Sequence, residues 1–139
     1  MAMTYGPAAV SIKGQSSAAP ASLSIPALPQ LDAETERAAR AFLLRLDGRH
    51  LVRQAILFGS RARGGHRADS DADIAVVLHG ARGERTSAAL DMAGIAFEVL
   101  LETGVLVEAL PLWEDELNHP ELFTNPGLIK TILREGVRL

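Results

Sequence analysis

Two aspartates one residue apart, Asp71 and Asp73, stand at the head of IAVVL, a run that reads as a buried strand. Unpaired carboxylates are costly to desolvate there, so something cationic is expected to meet them. Side chains alternate along a strand, which puts both carboxylates on one face. Hard oxygen ligands held that close suit Mg²⁺, which is usually held by one or two carboxylates together with substrate phosphates. Glu108, the one acid inside VLVEAL, is the candidate third carboxylate. Three such groups would make a two-metal site that aligns an attacking oxygen, a phosphorus and a leaving oxygen.

The residues upstream supply the complement. Gly59-Ser60 follows the apolar stretch AILF, and a glycine leaving a strand lets backbone amides approach a phosphate closely. The serine hydroxyl adds a donor, and Arg61 and Arg63 offer fork-shaped donors for phosphate oxygens. The parts describe a nucleoside triphosphate cradled at the turn and bridged by metal to the aspartates. Plainer readings stand beside this one: Asp71 and Asp73 as turn chemistry, Glu108 on a solvated strand face, Arg61 and Arg63 facing solvent. His50, His66, His79 and His119 show no metal-ligand spacing and are expected at the surface or in loops. Trp113 is expected to cap the core. Ser60 has no accompanying His and carboxylate motif that would make it a nucleophile.

Positioning these groups requires a small α/β fold. Asp32 as N-cap, acids in the first turn and apolar Ala39, Phe42, Leu43 and Leu46 at helical spacing predict a helix that stops at Gly48. Gln54 to Phe58 and Asp73 to Leu78 predict two strands of one sheet. Met92, Ile95, Ala96 and Val99 form the apolar stripe of a helix from Glu84 to Thr103, closed by Gly104. Val105 to Leu110 predicts a third strand ended by Pro111, and Asn125-Pro126 opens a last helix that ends at Gly136. The order is helix, strand, strand, helix, strand, helix, an α/β class with a small mixed sheet packed against helices.

At 139 residues the chain suits one domain, residues 31–139, preceded by an Ala-, Ser- and Pro-rich stretch, 1–30, that reads as a flexible or extended arm. A hydrophobic content of 47% with 22% charged residues is that of a globular protein, and no apolar run approaches the roughly 20 residues of a membrane helix. Without cysteine there is no disulfide, zinc-thiolate site or thiol nucleophile. MAMTYGPAAVSIKG does not resemble a signal peptide, and a cytoplasmic location is expected. The net charge of −3 hides an asymmetry: residues 45–67 carry six arginines against one aspartate, and residues 98–121 carry seven acids and no base. The basic segment suits a phosphate-bearing ligand, whereas the acidic balance argues against indiscriminate nucleic-acid binding.

Gly59-Ser60, ten further residues and Asp71-Ala72-Asp73 reproduce the GSx10DxD signature of the DNA polymerase β-like nucleotidyltransferases. The surrounding residues agree, with an apolar strand before the Gly-Ser, ARG after it, and SDADIAVVL matching the Ser-Asp-x-Asp-hydrophobic run. Over residues 31–139 the chain resembles the smallest members, the minimal nucleotidyltransferases (MNT). The resemblance implies the nucleotidyltransferase fold, with Gly59 and Ser60 holding the triphosphate and Asp71 and Asp73 binding two Mg²⁺ ions. Glu108 would take the place of the third, usually aspartate, carboxylate. It further implies ATP as donor and transfer of AMP to a hydroxyl. Small proteins of this kind often occur beside a helical HEPN partner as toxin-antitoxin pairs, in which the MNT protein can transfer AMP to the partner. The alternative is a nucleotide-binding antitoxin or interaction module that acts by occluding its partner without catalysis.

Overall fold

A computed structural model describes residues 31–139, so the arm expected over 1–30 lies outside the described residues. Helix α1, Ala33–Leu46, starts where expected: Asp32 accepts from the Thr35 amide at 3.2 Å and from its hydroxyl at 2.6 Å. Strand β1, Val52–Phe58, passes through the short helix α2, Ser60–Arg63, and a loop to β2, Ala72–Leu78. Helix α3, Arg85–Thr103, is capped by Glu84, which accepts from the Ser87 amide at 2.9 Å, and closes on Gly104 at φ 80°. Strand β3, Val107–Trp113, leads into α4, Glu114–Asn118, and a single 3₁₀ turn, Pro120–Leu122. Helix α5, Pro126–Glu135, starts from Asn125, and β4, Val137–Arg138, completes the described chain.

The sheet has the order β3-β2-β1-β4, with β1 antiparallel to β2 and β4, and β2 parallel to β3. It is the small mixed sheet expected of a nucleotidyltransferase α/β fold. Its two faces bury different cores. On one face Ile74, Val76 and Leu57 meet Ala38, Phe42 and Leu46 of α1 and Met92, Ile95 and Val99 of α3. On the other, a smaller core joins Ile56, Ala75, Val77 and Leu112 to Ile129 and Ile132 of α5. Trp113 caps the larger core and is 7% exposed.

The third strand corrects the sequence reading, because it runs through Pro111 to Trp113 and does not stop before the proline. Proline is tolerated on an edge strand, where its missing N–H costs no ladder bond. β3 is an edge, and the Pro111 carbonyl accepts from Arg85 Nη1 at 2.6 Å. The same guanidinium donates to the buried Glu116 and lies 5.3 Å from the Trp113 ring and 5.0 Å from that of Phe123, tying α4 and the 3₁₀ turn to the sheet. Gly136 is needed for space: its φ is −72°, and a Cβ there would overlap Ile56 and the Ile132 carbonyl.

Candidate active site

The site lies where β1 ends and β2 and β3 begin. Gly59 leaves β1 with φ 77° and ψ −159°, a region essentially reserved for glycine. A Cβ on Gly59 would also overlap the Asp73 carboxylate. The Gly59 carbonyl accepts from the Ala62 amide at 3.1 Å and the Arg63 amide at 3.2 Å. The Ser60 and Arg61 amides and the Ser60 hydroxyl find no hydrogen-bond partner among the described residues, which leaves a turn of donors for an anion. Gly59→Val should therefore lose both fold stability, through strain of about 1–3 kcal/mol, and nucleotide binding. Thermal melting and titration calorimetry check this; unchanged values for both would mean that the turn is neither strained nor a cradle.

Across from this turn stand the acids. Asp73 pairs with Phe58 on β1 and with Glu108 on β3, so the three side chains share a sheet face. Ala75, Val77 and Leu112 fix that face as the α5 side. Asp71 sits one residue before β2. Burial pushes the Asp73 carboxyl above its ordinary value, Glu108 and Asp71 push it further, and Arg63 opposes them. Among the described residues Asp71, Asp73 and Glu108 make no ion pair, whereas Asp91, also half-buried, is matched by Arg49 and His50. Three mutually repelling carboxylates without a protein cation are chemically suited to hard divalent ions. Yet among the described residues no three His, Asp or Glu side chains lie close enough together to hold one ion as a set. Asp71 and Asp73 are half-buried, and Glu108 is exposed beside them.

The arginines separate. Arg63 is exposed, 4.0 Å from Glu135, and acts on the Asp73 carboxyl. Arg61 corrects both sequence readings, since it neither faces solvent nor is free for phosphate. Its side chain is fully buried. Nε donates to the Ser70 carbonyl at 2.8 Å, Nη2 to the Ala68 carbonyl at 3.0 Å, and Nη1 to Thr35 Oγ1 at 2.8 Å. The guanidinium is spent on clamping the loop before Asp71 to α1. His50 and His66 stand in loops, as expected, each beside an acid: His50 lies 2.6 Å from Asp91 and His66 3.3 Å from Asp32.

The mixed sheet thus sets turn amides without a partner among the described residues across from unpaired acids. The family model for the nucleotidyltransferase domain matches residues 37–139, most of the chain, and the chain belongs to that family of nucleotidyl-transferring enzymes. It is also similar to a Sulfolobus solfataricus protein, solved at 1.40 Å under the provisional name of a nucleotidyltransferase. That match has 18% identity and a TM-score of 0.38, and covers 80% of this chain and 89% of the other. A likeness of that size carries no weight for the site. No curated protein matches the chain.

Proposed function

We propose that this protein is a metal-dependent nucleotidyltransferase that moves AMP from ATP to a hydroxyl on a helical, HEPN-type partner protein. The observation that supports it best is the meeting of the unpaired Asp71 and Asp73 with the unconsumed donors of the Gly59-Ser60 turn. In this reading the Ser60 and Arg61 amides and the Ser60 hydroxyl bind the phosphates, and Arg63 offsets their charge. Asp71 and Asp73 would hold Mg²⁺, which when bound supplies charge neutralisation and activation of the attacking oxygen. The acceptor hydroxyl gives up its proton to solvent as its oxygen bonds to the α-phosphorus, the bond from that phosphorus to the bridging oxygen breaks, and pyrophosphate leaves. Placement of the acceptor comes from whatever docks beside the site. Among the described residues no helix is long and apolar enough to cross a membrane.

The exposure of Glu108 favours a second reading, a nucleotide-binding antitoxin that occludes its partner. Two measurements separate the readings. Incubated with Mg²⁺, ATP and its co-purifying partner, the protein should raise the partner's mass by one AMP, and Asp71→Asn should abolish the increase; an unmodified yet bound and neutralised partner favours occlusion. Glu108→Gln should cut the transfer rate on the scale of the Asp73 variant if Glu108 swings into the metal shell. A near-wild-type rate would assign it to the surface.

A further inference from the structure

Helix α3 is apolar on two sides. Met92, Ile95, Ala96 and Val99 face the core, while Leu90, Phe97 and Leu101 are 69%, 56% and 72% exposed. With Gly94 they recur at intervals of four, three and four residues, the a/d repeat by which helices pair. Leu44 on α1, 71% exposed, points away from that helix's buried face and extends the same layer. Exposed apolar side chains gathered on one layer mark an interaction surface.

We propose that this layer is a homodimer interface, in which a second copy of the chain lays its α3 antiparallel along Leu90, Gly94, Phe97 and Leu101. The stripe is self-complementary under a two-fold axis, as an isologous interface requires. An axis between Ile95 and Ala96 sets Leu90 against the second copy's Leu101 and, at the same time, Phe97 against its Gly94. The large Phe97 ring thus meets a glycine, where no side chain stands and a Cβ would find nothing within 4 Å. Charge permits the contact: Arg45 pairs with Glu98 and Glu102 at 3.3 and 2.7 Å, Arg49 with Asp91 at 2.6 Å, and Arg40 with Glu36 at 2.6 Å. Each flanking acid of α3, Asp91, Glu98 and Glu102, thus has an arginine of its own chain beside it, Arg45 being shared by two of them, which lowers the repulsion between two copies.

The area is of the order that a dimer needs. Helices of 14 and 19 residues are about 21 and 28 Å long, and with axes roughly 8–10 Å apart they present a projected face on the order of 500 Å². Side-chain corrugation brings this towards the roughly 800 Å² per partner of a stable interface. Asp73 and Glu108 lie on the opposite sheet face, so the dimer leaves them open, and the proposal stands independently of the donor and acceptor assigned above.

Light scattering on the full chain at micromolar concentration should give twice the monomer mass. Phe97→Asp should raise the dissociation constant at least about 100-fold, without changing circular dichroism. Gly94→Phe alone should also be monomeric, because two phenylalanines collide, whereas Gly94→Phe combined with Phe97→Gly exchanges knob and hole and should restore the dimer. A monomeric wild type, a dimer that survives Phe97→Asp, a swap that stays monomeric, or a layer covered only by a different protein would each overturn the proposal.

Discussion

Asp73→Asn should lose nucleotidyl transfer by roughly 100-fold or more and yet melt at a higher temperature than the wild type near neutral pH. Both effects have one cause. Burial, Glu108 and Asp71 raise the Asp73 carboxyl above its ordinary value, so its ionised form is disfavoured in the folded protein. A raised acid binds its proton more tightly folded than unfolded, and wild-type stability therefore falls as pH climbs from the ordinary aspartate value through the raised one. Asparagine does not titrate. Its advantage is full above the raised value, shrinks as pH falls through that window, and is absent below the ordinary value. Mg²⁺ should reverse the order at neutral pH, because an ion that binds only the folded wild type raises its melting temperature. Melting curves across pH, with and without Mg²⁺, read all of this. A variant that melts lower at every pH, or a wild type indifferent to Mg²⁺, would remove Asp73 from a metal-binding role.

What the sequence made legible was local. The Gly59-Ser60 turn and the caps Asp32 and Asn125 are each written within a few residues, and each stands where expected, whereas strand alternation reaches Asp73 alone, since β2 starts at Ala72 and Asp71 precedes it. The short elements were not legible: α2 and α4, of four and five residues, and β4, of two, are too brief to carry a period. Pro111 misled because edge position is a property of the sheet. Helix α3 concealed its outer stripe, since Leu90, Phe97 and Leu101 are as apolar as the Met92 and Val99 they oppose, and only packing decides which side is inside. Glu108 was legible as an acid in an apolar strand, and the register that sets it beside Asp73 appears only in three dimensions.

Arg61 is the largest departure, and it yields the largest expected effect on stability. From sequence it is one of two arginines after a phosphate-binding turn. Its partners, Glu34 and Thr35 on α1 and the Ala68 and Ser70 carbonyls, are distant in sequence or belong to the backbone, so no local pattern announces them. Arg61→Ala should destabilise the fold by about 3–5 kcal/mol, by leaving two carbonyls and a buried hydroxyl without donors and opening a cavity. Arg61→Lys should be intermediate, since one ammonium cannot reproduce a planar fork that serves three acceptors. The effect on chemistry follows at one remove: the clamp fixes Ser70, the residue before Asp71, so the lysine variant should lose rate through displaced Asp71 while its triphosphate affinity stays close to wild type. Denaturant melts, calorimetry with a non-hydrolysable triphosphate, and turnover separate these effects. A lysine variant with wild-type stability and weakened triphosphate binding would mean that Arg61 reaches the phosphates after all, and that the buried clamp gives way when nucleotide binds.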